Sequence, residues 1–221
     1  MQTGGMIHPL VFVDVALFSI QEGALCVLLA QRANEPEGGK WALPGGILKP
    51  RLDNSLDHTA HRVIRDKVGV AASCIEQVRV FSGETRDPRG YSLSLLYCAL
   101  LPKNQAHAVA GLKTSVIRWF RAERALPDGV AFDHGEMISE ALQYLRQKVL
   151  HRALPLHLLD ATFSLSELQA ACSHILGTPV DKSSFRRRMK RESSFVPLKG
   201  EFREGAYRPA QLYQAVPGFK F

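Results

Sequence analysis

The stretch that decides the fold begins Trp41-Ala-Leu-Pro-Gly-Gly-Ile47 and runs on to Arg62-Val-Ile-Arg-Asp-Lys-Val-Gly-Val70. The tandem glycines predict a loop, and residues 55–68 predict a helix that ends at Gly69 as its C-cap. Three positions of this helix are spaced i, i+3 and i+4, so their side chains share one face. They are Val63, Asp66 and Lys67.

Residues 45–70 resemble a Nudix box, which in that family ends Arg-Glu-apolar-x-Glu-Glu-x-Gly-apolar. Its scaffold positions are matched by Arg62, Ile64, Gly69 and Val70. Its three acidic positions hold Val63, Asp66 and Lys67 instead. Three carboxylates there would suit Mg²⁺, a hard cation that prefers oxygen ligands. Because valine cannot coordinate a metal and lysine repels one, the resemblance implies a dismantled metal site and no catalytic residues.

The half of the box before the helix is altered as well. The family has a glutamate between the Gly-Gly pair and the helix, whereas residues 46–54 contain none. Asp53 or Asp57 are stand-ins, but neither restores a metal cluster beside Lys67. Without a metal, a phosphate-ester hydrolase lacks its Lewis acid and its activated water. Two interpretations stay open: a retained nucleotide pocket without chemistry, or a loop and helix kept only for the fold.

Composition indicates an ordinary globular protein. The chain has 221 residues, of which 46% are apolar and 22% charged, enough for one large or two modest domains. No apolar run reaches the length of a membrane span, and no signal peptide is evident at the N-terminus. The sequence therefore predicts a cytoplasmic protein with no membrane partner. Its four cysteines are widely spaced and predict buried thiols, not zinc ligands or disulfides: Cys26, Cys74, Cys98 and Cys172.

The positive charge is concentrated in the last third of the chain. Residues 1–150 hold 17 lysines and arginines against 15 acidic residues, whereas residues 151–221 hold 11 against 6. Six of these cations fall in one short basic block, at Lys182, Arg186, Arg187, Arg188, Lys190 and Arg191. Such a block indicates nucleic-acid binding, with a solvated surface helix as the alternative.

Residues 1–150 have the element pattern of an α+β domain. Apolar runs predict strands at residues 10–18, 25–30, 78–82, 92–101 and 116–120, and the amphipathic residues 133–150 predict a long helix. Helices on both sides of a mixed sheet would form a Nudix-like α/β/α sandwich.

Residues 151–221 predict a second domain. Ser164-Leu-Ser-Glu167 is a capping box that opens a helix over residues 165–176. After a short turn, Asp181 predicts the N-cap of a basic helix that runs through Lys190. Two short helices joined by a tight turn indicate a helix-turn-helix. The strand, turn and strand pattern of residues 196–213 adds a wing, so we expect a winged helix-turn-helix domain.

Five landmarks, in order along nearly the whole chain, resemble the Nudix-related transcriptional regulators of NAD metabolism, the NrtR family. They are Trp41-Ala-Leu-Pro-Gly-Gly46, Arg86-Asp-Pro-Arg-Gly90, Phe132-Asp-His134, Asp181-Lys-Ser-Ser-Phe-Arg-Arg187 and Arg208-Pro-Ala-Gln-Leu-Tyr213. The resemblance implies a homodimeric repressor of NAD biosynthesis or salvage genes, with no resident cofactor. A nucleotide such as ADP-ribose, or another adenine nucleotide such as ATP, would release it from a palindromic operator in double-stranded DNA.

Candidate DNA-binding residues lie mainly on the basic helix. The N-terminal half of a recognition helix usually reaches base edges, which selects Ser183, Ser184 and Arg187. Arg186 or Arg187 would read guanine through two hydrogen bonds, while the other cations grip phosphates. Phe185 and Met189 should face the domain core. The full set is Lys182, Ser183, Ser184, Arg186, Arg187, Arg188 and Lys190, with Arg208 on the wing.

Candidate ligand-binding residues are chosen for a nucleoside diphosphate. Arginine matches phosphate oxygens in a fork geometry, which favours Arg32, Arg86 and Arg89. Asp14, Lys40, Trp41 and Phe132 would line the same pocket, the aromatic rings by stacking on adenine. Simpler interpretations are that Arg86 and Asp87 brace their loop, that Trp41 belongs to the core, and that Asp133 is only an N-cap.

The sequence thus favours a ligand-responsive transcription factor, associated with the nucleoid when bound to DNA. A divergent Nudix pyrophosphatase that uses Asp53, Asp57 and Asp66 as metal ligands is the first alternative. An RNA-binding adaptor is the second, although it lacks the aromatic stacking platform expected of one.

Overall fold

The computed structural model describes residues 8–106, 114–124, 126–127, 129–151, 153–204 and 209–221. The elements up to residue 150 are β1 (Leu10–Gln21), β2 (Ala24–Arg32), β3 (Trp41–Ala42), β4 (Gly45–Ile47), α1 (Leu56–Val68), β5 (Cys74–Gly83), β6 (Ser92–Leu100), β7 (Thr114–Arg121) and α2 (His134–Leu150). Those after it are β8 (Phe163–Ser164), α3 (Leu165–Leu176), α4 (Lys182–Met189), β9 (Phe195–Arg203) and β10 (Ala210–Ala215).

Strand β1 organises a mixed sheet of seven described strands. It pairs in parallel with β6 along most of its length and in antiparallel fashion with β4 near its start and β2 near its end. Strand β5 continues the sheet beyond β6, while β3 and β7 both pair with β2. The predicted strands are all present in this sheet.

Alternate residues of β1 face opposite sides of the sheet, as the strand period requires. Val13, Val15 and Leu17 pack in one apolar cluster with the buried face of α1. Ala16 and Phe18 pack in a second cluster that includes α2. Covering on both sides explains why β1 reads as a continuous apolar run, and it confirms the predicted α/β/α sandwich.

The helix of the box ends where the sequence predicts and begins one residue later, at Leu56. The Ser55 hydroxyl accepts a hydrogen bond from the His58 amide, 3.0 Å away, which caps the first turn of α1. Gly69 ends the helix with φ of 73°, and its amide donates to the Arg65 carbonyl. Both caps satisfy backbone groups that a helix leaves unpaired at its ends.

A buried ion pair ties α1 to the loop before it. The Arg62 guanidinium donates from Nε to Asp53 Oδ1 and from Nη2 to Asp53 Oδ2, both at 2.7 Å. Nη2 also donates to the Ile47 carbonyl at 3.0 Å, and the Lys49 amide donates to Asp53. These hydrogen bonds, chiefly those from Arg62, hold the pKa of the Asp53 carboxyl well below its usual range.

The second part of the chain is a winged helix, as predicted. Ser164 and Glu167 form the expected capping box at the start of α3, and the Asp181 carboxylate caps α4. Helix α4 ends at Met189, with Lys190 as its C-cap, one residue earlier than predicted. Strands β9 and β10 form the wing, and β8 pairs with β10.

One apolar cluster runs from the sheet through α2 into the winged helix. Its members include Leu145 of α2, Ile175 of α3, Phe185 of α4 and Phe195 of β9. The predicted domain boundary at residue 150 coincides with the end of α2, and it stays a prediction.

The four cysteines are buried free thiols, as expected. No helix among the described residues is long and apolar enough to cross a membrane.

We expect Asp53→Asn to lower the free energy of unfolding near neutral pH by about 3 kcal/mol, because Arg62 stays buried without its counter-charge. The folded-state pKa of Asp53 lies below that of an unfolded aspartate, about 4. Its stabilisation is therefore present above about pH 4 and is lost as the pH falls through the folded-state value. In urea unfolding, the difference in free energy of unfolding between wild type and Asp53→Asn should become smaller as the pH is lowered from about 5 to about 3.

Asp66→Asn is the matched control. The Asp66 carboxylate is half-exposed, and it pairs with the neighbouring, exposed Arg65. This substitution should cost less than about 1 kcal/mol. A wild-type to Asp53→Asn difference that stays constant down to low pH would contradict the role given to the Asp53 charge.

Candidate ligand cavity and nucleic-acid interface

A cavity of about 290 Å³ opens between β1, the end of β2, the Gly-Gly loop and the start of α2. Five of the seven predicted ligand residues line it: Asp14, Arg32, Arg86, Arg89 and Phe132. It is also lined by residues that the sequence did not single out for a ligand, among them Phe12, Gln31, Asn34, Lys67, Asp87 and His134. The cavity therefore combines several cations with aromatic rings and two buried carboxylates, those of Asp14 and Asp87.

Asp14 lies at the floor of the cavity and is buried. One of its oxygens, Oδ2, accepts a short hydrogen bond from the Ser94 hydroxyl of β6. The other, Oδ1, comes so close to Gly45 that a Cβ on this residue would lie 1.8 Å from it. The first glycine of the Gly-Gly pair is thus required by the carboxylate beneath it.

His134, the first residue of α2, also lines the cavity. Its Nδ1 accepts a hydrogen bond from the Leu43 amide at 2.9 Å, so the ring proton is assigned to Nε2. Nε2 lies 3.8 Å from Asp14 Oδ1. Burial lowers the pKa of His134, so the ring is neutral near pH 7. A neutral histidine therefore joins the Gly-Gly loop to α2.

Two of the arginines are held by carboxylates. Arg86 donates to both oxygens of Asp133, at 2.9 and 2.8 Å, and to the Ser92 hydroxyl at 3.1 Å. Arg89 donates to both oxygens of the buried Asp87, at 2.9 and 2.6 Å. Arg86 thus braces its loop against the start of α2, as the simpler interpretation had it, while still facing the cavity.

Asp133 is the N-cap of α2 by position, but its side chain makes no capping hydrogen bond. The expectation that capping alone explains this residue was wrong, because both carboxylate oxygens are used by Arg86. Asp133 instead connects the loop of residues 86–90 to the start of the long helix.

Arg32 and Phe132 form a stacked pair at the cavity. The Arg32 guanidinium carbon lies 4.7 Å from the centroid of the Phe132 ring, and Nε donates to the Pro36 carbonyl. Burial, and next the charge of Arg89, lower the pKa of Arg32. Phe132 has φ of 52°, a conformation that bulky residues rarely adopt and that often occurs at functional sites.

Lys40 and Trp41, which were also predicted to bind the ligand, do not line this cavity. Strand alternation directs Ala42 toward the cavity and Trp41 away from it. Trp41 packs edge-on against Phe120, with ring centroids 4.9 Å apart, which agrees with the core interpretation. Lys40 forms an ion pair with Glu37.

The altered positions of the box helix have separate surroundings. Val63 is 1% exposed and lies in the apolar cluster beneath the Gly-Gly loop. Lys67 lines the cavity, whereas the Asp66 carboxylate is half-exposed and pairs with Arg65. A lysine at the cavity wall suits an anionic ligand better than a dication.

The stand-in metal ligands do not converge either. Asp53 is occupied by Arg62, and Asp57 accepts a hydrogen bond from the Tyr97 hydroxyl at 2.8 Å. Within the described ranges, no group of three or more histidine, cysteine, aspartate or glutamate side chains lies close enough to hold a metal ion.

The basic helix α4 presents a polar face away from the core. Phe185 and Met189 are buried, as expected for i and i+4 positions that face the domain interior. The exposed residues are Lys182, Ser183, Ser184, Arg186, Arg187 and Lys190, and Arg188 is partly buried. The structure therefore brings the predicted DNA-binding residues of this helix onto one accessible surface.

Among the described residues of the wing, one arginine is engaged within the winged helix. Arg203 turns back onto α3, where it pairs with Glu167 of the capping box and donates to the Thr162 carbonyl at 3.1 Å. Lys199 is exposed on β9. Arg208, predicted to contact DNA, lies outside the described residues, as does Tyr207.

Comparisons with known proteins match both parts of the chain. Residues 10–141 match the NUDIX domain, and residues 155–215 match the NrtR DNA-binding winged helix domain. A protein of Acinetobacter baylyi described as an ADPR responsive transcriptional repressor, NtrR, is 39% identical over 93% of this chain and 82% of its own length. An ADP-ribose pyrophosphatase of Methanocaldococcus jannaschii is 29% identical over 62% of this chain and 76% of its own.

Solved structures of Shewanella oneidensis NrtR are similar over almost the whole chain. The protein alone has a TM-score of 0.83 and 34% identity, with 94% of each chain covered. Its complex with a 27mer DNA has a TM-score of 0.82, with the same identity and coverage. Its NUDIX domain complexed with ADP ribose has a TM-score of 0.60 and 34% identity, covering 66% of this chain and 94% of that one.

The Nudix and winged-helix matches together account for most of the chain, and the NrtR structure is similar over 94% of it. The chain belongs to the NrtR family of Nudix-related transcriptional regulators.

Proposed function

We propose that this protein is a transcriptional repressor of NAD biosynthesis or salvage genes that releases its operator when ADP-ribose binds. The observation that carries the proposal is the pairing, in one chain, of a cation-rich Nudix cavity with an exposed basic helix. The repressor described from Acinetobacter baylyi and the two complexes of Shewanella oneidensis NrtR support it. As a regulator of chromosomal genes, it would work in the bacterial cytoplasm.

The cavity has the chemistry that ADP-ribose requires. Arg32 and Arg89 line the cavity and present guanidinium groups for the diphosphate. Gly45 and Gly46 form another part of the cavity wall. Asp14 offers a carboxylate that can accept from a ribose hydroxyl. The Phe132 ring, already stacked on Arg32, offers an apolar face for a base or sugar. No resident cofactor is needed for this role.

Hydrolysis of the bound diphosphate is not part of the proposal. Val63 lies in the apolar core and Lys67 at the cavity wall, where the family motif has carboxylates. Asp66 alone retains an acidic side chain among the three positions, and a single carboxylate does not assemble a Mg²⁺ site for phosphoryl chemistry.

The winged helix would bind operator DNA through α4 in the major groove. Ser183, Arg186 and Arg187 lie on the exposed face and would reach base edges, while Lys182, Arg188 and Lys190 would grip phosphates. A homodimer would present two such helices to the half-sites of a palindromic operator. ADP-ribose would then release DNA by favouring an arrangement of the two winged helices that does not fit both half-sites.

The proposal is tested by gel-shift titration of an operator selected from a randomised duplex library. ADP-ribose should weaken operator binding by about fivefold or more, a typical size for allosteric coupling. NAD, ATP and nicotinamide nucleotides, tested in parallel, should act only at higher concentration. A wild-type protein that ignores ADP-ribose but answers another nucleotide would reassign the effector, and one that ignores all of them is not a sensor.

Arg32→Ala should weaken ADP-ribose binding about tenfold, because the charged hydrogen bond to a phosphate oxygen is lost. Isothermal titration of the DNA-free protein measures the effect. Arg118→Ala is the matched control, since this exposed arginine lies over Trp41 and outside the cavity. Equal affinities for wild type and Arg32→Ala would exclude the proposed diphosphate site.

Arg187→Ala should weaken binding to the selected operator by about 1–3 kcal/mol and relax base preference at one position of each half-site. Lys190→Ala should weaken all duplexes alike and reduce the salt dependence of binding. Lys103 is exposed and far from α4 along the chain, so Lys103→Ala should change neither the affinity for duplex DNA nor its salt dependence. Tighter binding to single-stranded RNA than to any duplex would instead favour the RNA adaptor.

The wild-type protein should hydrolyse ADP-ribose no faster than a protein-free blank, with either Mg²⁺ or Mn²⁺ present, because Val63 and Lys67 cannot hold the metal ion that would activate water. Release of AMP and ribose phosphate, followed by chromatography, measures this, with an active ADP-ribose pyrophosphatase as the positive control. Turnover well above the blank would support the pyrophosphatase alternative.

A further inference from the structure

Helix α2 contacts both the ligand cavity and the winged helix. Its first turn carries His134, which accepts from the Leu43 amide, and follows Asp133, which pairs with Arg86. Near its other end, Arg146 reaches α3. From Asp133 to Arg146 the helix rises about 20 Å, as a rigid element of regular hydrogen bonding.

The contact between α2 and α3 is polar and directional. Arg146 Nε donates to the Ile175 carbonyl in the last turn of α3 at 3.0 Å. Arg146 Nη2 donates to Glu123 Oε1 at 2.8 Å. A guanidinium at this place satisfies a carbonyl that the helix end leaves open and complements the negative end of the helix dipole. We call Arg146, Glu123 and the Ile175 carbonyl the α2–α3 latch.

Gly177 completes the close fit of the latch. It ends α3 with φ of 72°, and a Cβ on this residue would lie 2.4 Å from Glu123 Oε1. The backbone conformation at residue 177 favours glycine, and the missing side chain leaves room for the Glu123 carboxylate. Immediately beyond this residue, the chain turns toward α4.

Glu123 connects the latch to the cavity by a second route. It follows the end of β7, which pairs with β2 from Cys26 to Arg32, and Arg32 lines the cavity. The guanidinium of Arg146 thus joins two elements, α2 and the β2–β7 pair, that both begin or end at the ligand site. Both elements therefore meet α3 at the same point, the Arg146 side chain.

Apolar packing alone would not define the angle between the two parts. Leu145 and Ile175 belong to the same buried cluster, which holds α2 and α3 together. Because the hydrophobic effect is non-directional, such a contact tolerates small rotations. The hydrogen bonds of Arg146 fix a particular orientation, and a change in orientation at α3 moves α4 with it.

We propose that Arg146 and Glu123 are positioning residues that set the orientation of α3 and α4 and carry the coupling between ADP-ribose and operator binding. The proposal rests on the function proposed above. These residues contact neither ADP-ribose nor DNA bases in this proposal. They set the factor by which bound ADP-ribose changes the affinity for operator DNA. That factor is reciprocal between two binding equilibria.

The experiment measures this factor in the full-length protein. The operator dissociation constant is determined without ADP-ribose and with saturating ADP-ribose, and their ratio is compared between wild type and variants. Arg146→Ala should reduce the ratio at least threefold, while ADP-ribose affinity of the DNA-free protein stays within about twofold. Arg146→Lys, which keeps the charge and one donor, should recover part of the ratio.

Glu140→Gln is the matched control, because Glu140 lies on α2 but pairs with Arg79 of β5 and not with the winged helix. Its ratio should equal that of the wild type. If the thermal unfolding midpoint shows that Arg146→Ala does not fold, Glu123→Gln is used in its place. That variant removes only the negative charge that pairs with Arg146.

The outcomes separate the latch from the function on which it rests. A folded Arg146→Ala or Glu123→Gln protein with the wild-type ratio overturns the latch and leaves the proposed function standing. An operator affinity that falls equally with and without ADP-ribose assigns these residues a purely structural role and also overturns it. A wild-type protein without any response to ADP-ribose overturns both proposals.

Discussion

The Asp14 carboxylate is the constraint on which the ligand site depends. It is buried at the start of the central strand, where Ser94 of β6 donates to one oxygen and Gly45 of the loop lies against the other. Burying a carboxylate is costly unless hydrogen bonds and nearby positive charge compensate for it. Serine, a glycine backbone, the neutral His134 and the surrounding arginines therefore converge there, and their convergence shapes the cavity.

A separate set of contacts stabilises the Nudix scaffold around α1. The scaffold is held by the Asp53–Arg62 ion pair, the two caps of α1 and the apolar cluster that Val63 joins. None of these contacts requires a metal ion. Val63 adds apolar burial to this cluster, and Lys67 adds a cation at the cavity wall, which favours an anionic ligand.

Helix α2 gives the two halves of the protein a common element. Its apolar face belongs to the cluster that extends from the sheet to α4, and its polar contacts lie at both ends, at Asp133 and Arg146. A single helix that contacts the ligand cavity at one end and the DNA-binding domain at the other connects the two directly. Packed interfaces of this kind tend to switch between discrete arrangements because interiors are dense.

By itself, the sequence determined the features that depend on local patterns: the strands and caps, the basic helix with its buried Phe185 and Met189, and the presence of Val63 and Lys67 on the box helix. Periodicity, capping residues and motif spacing are properties of neighbours in the chain, so they can be read without coordinates. Tertiary structure decided which side chains meet across long separations. The pairing of Arg86 with Asp133, the turn of Trp41 away from the cavity and the reach of Arg146 to α3 depend on how distant elements pack, which no local pattern encodes.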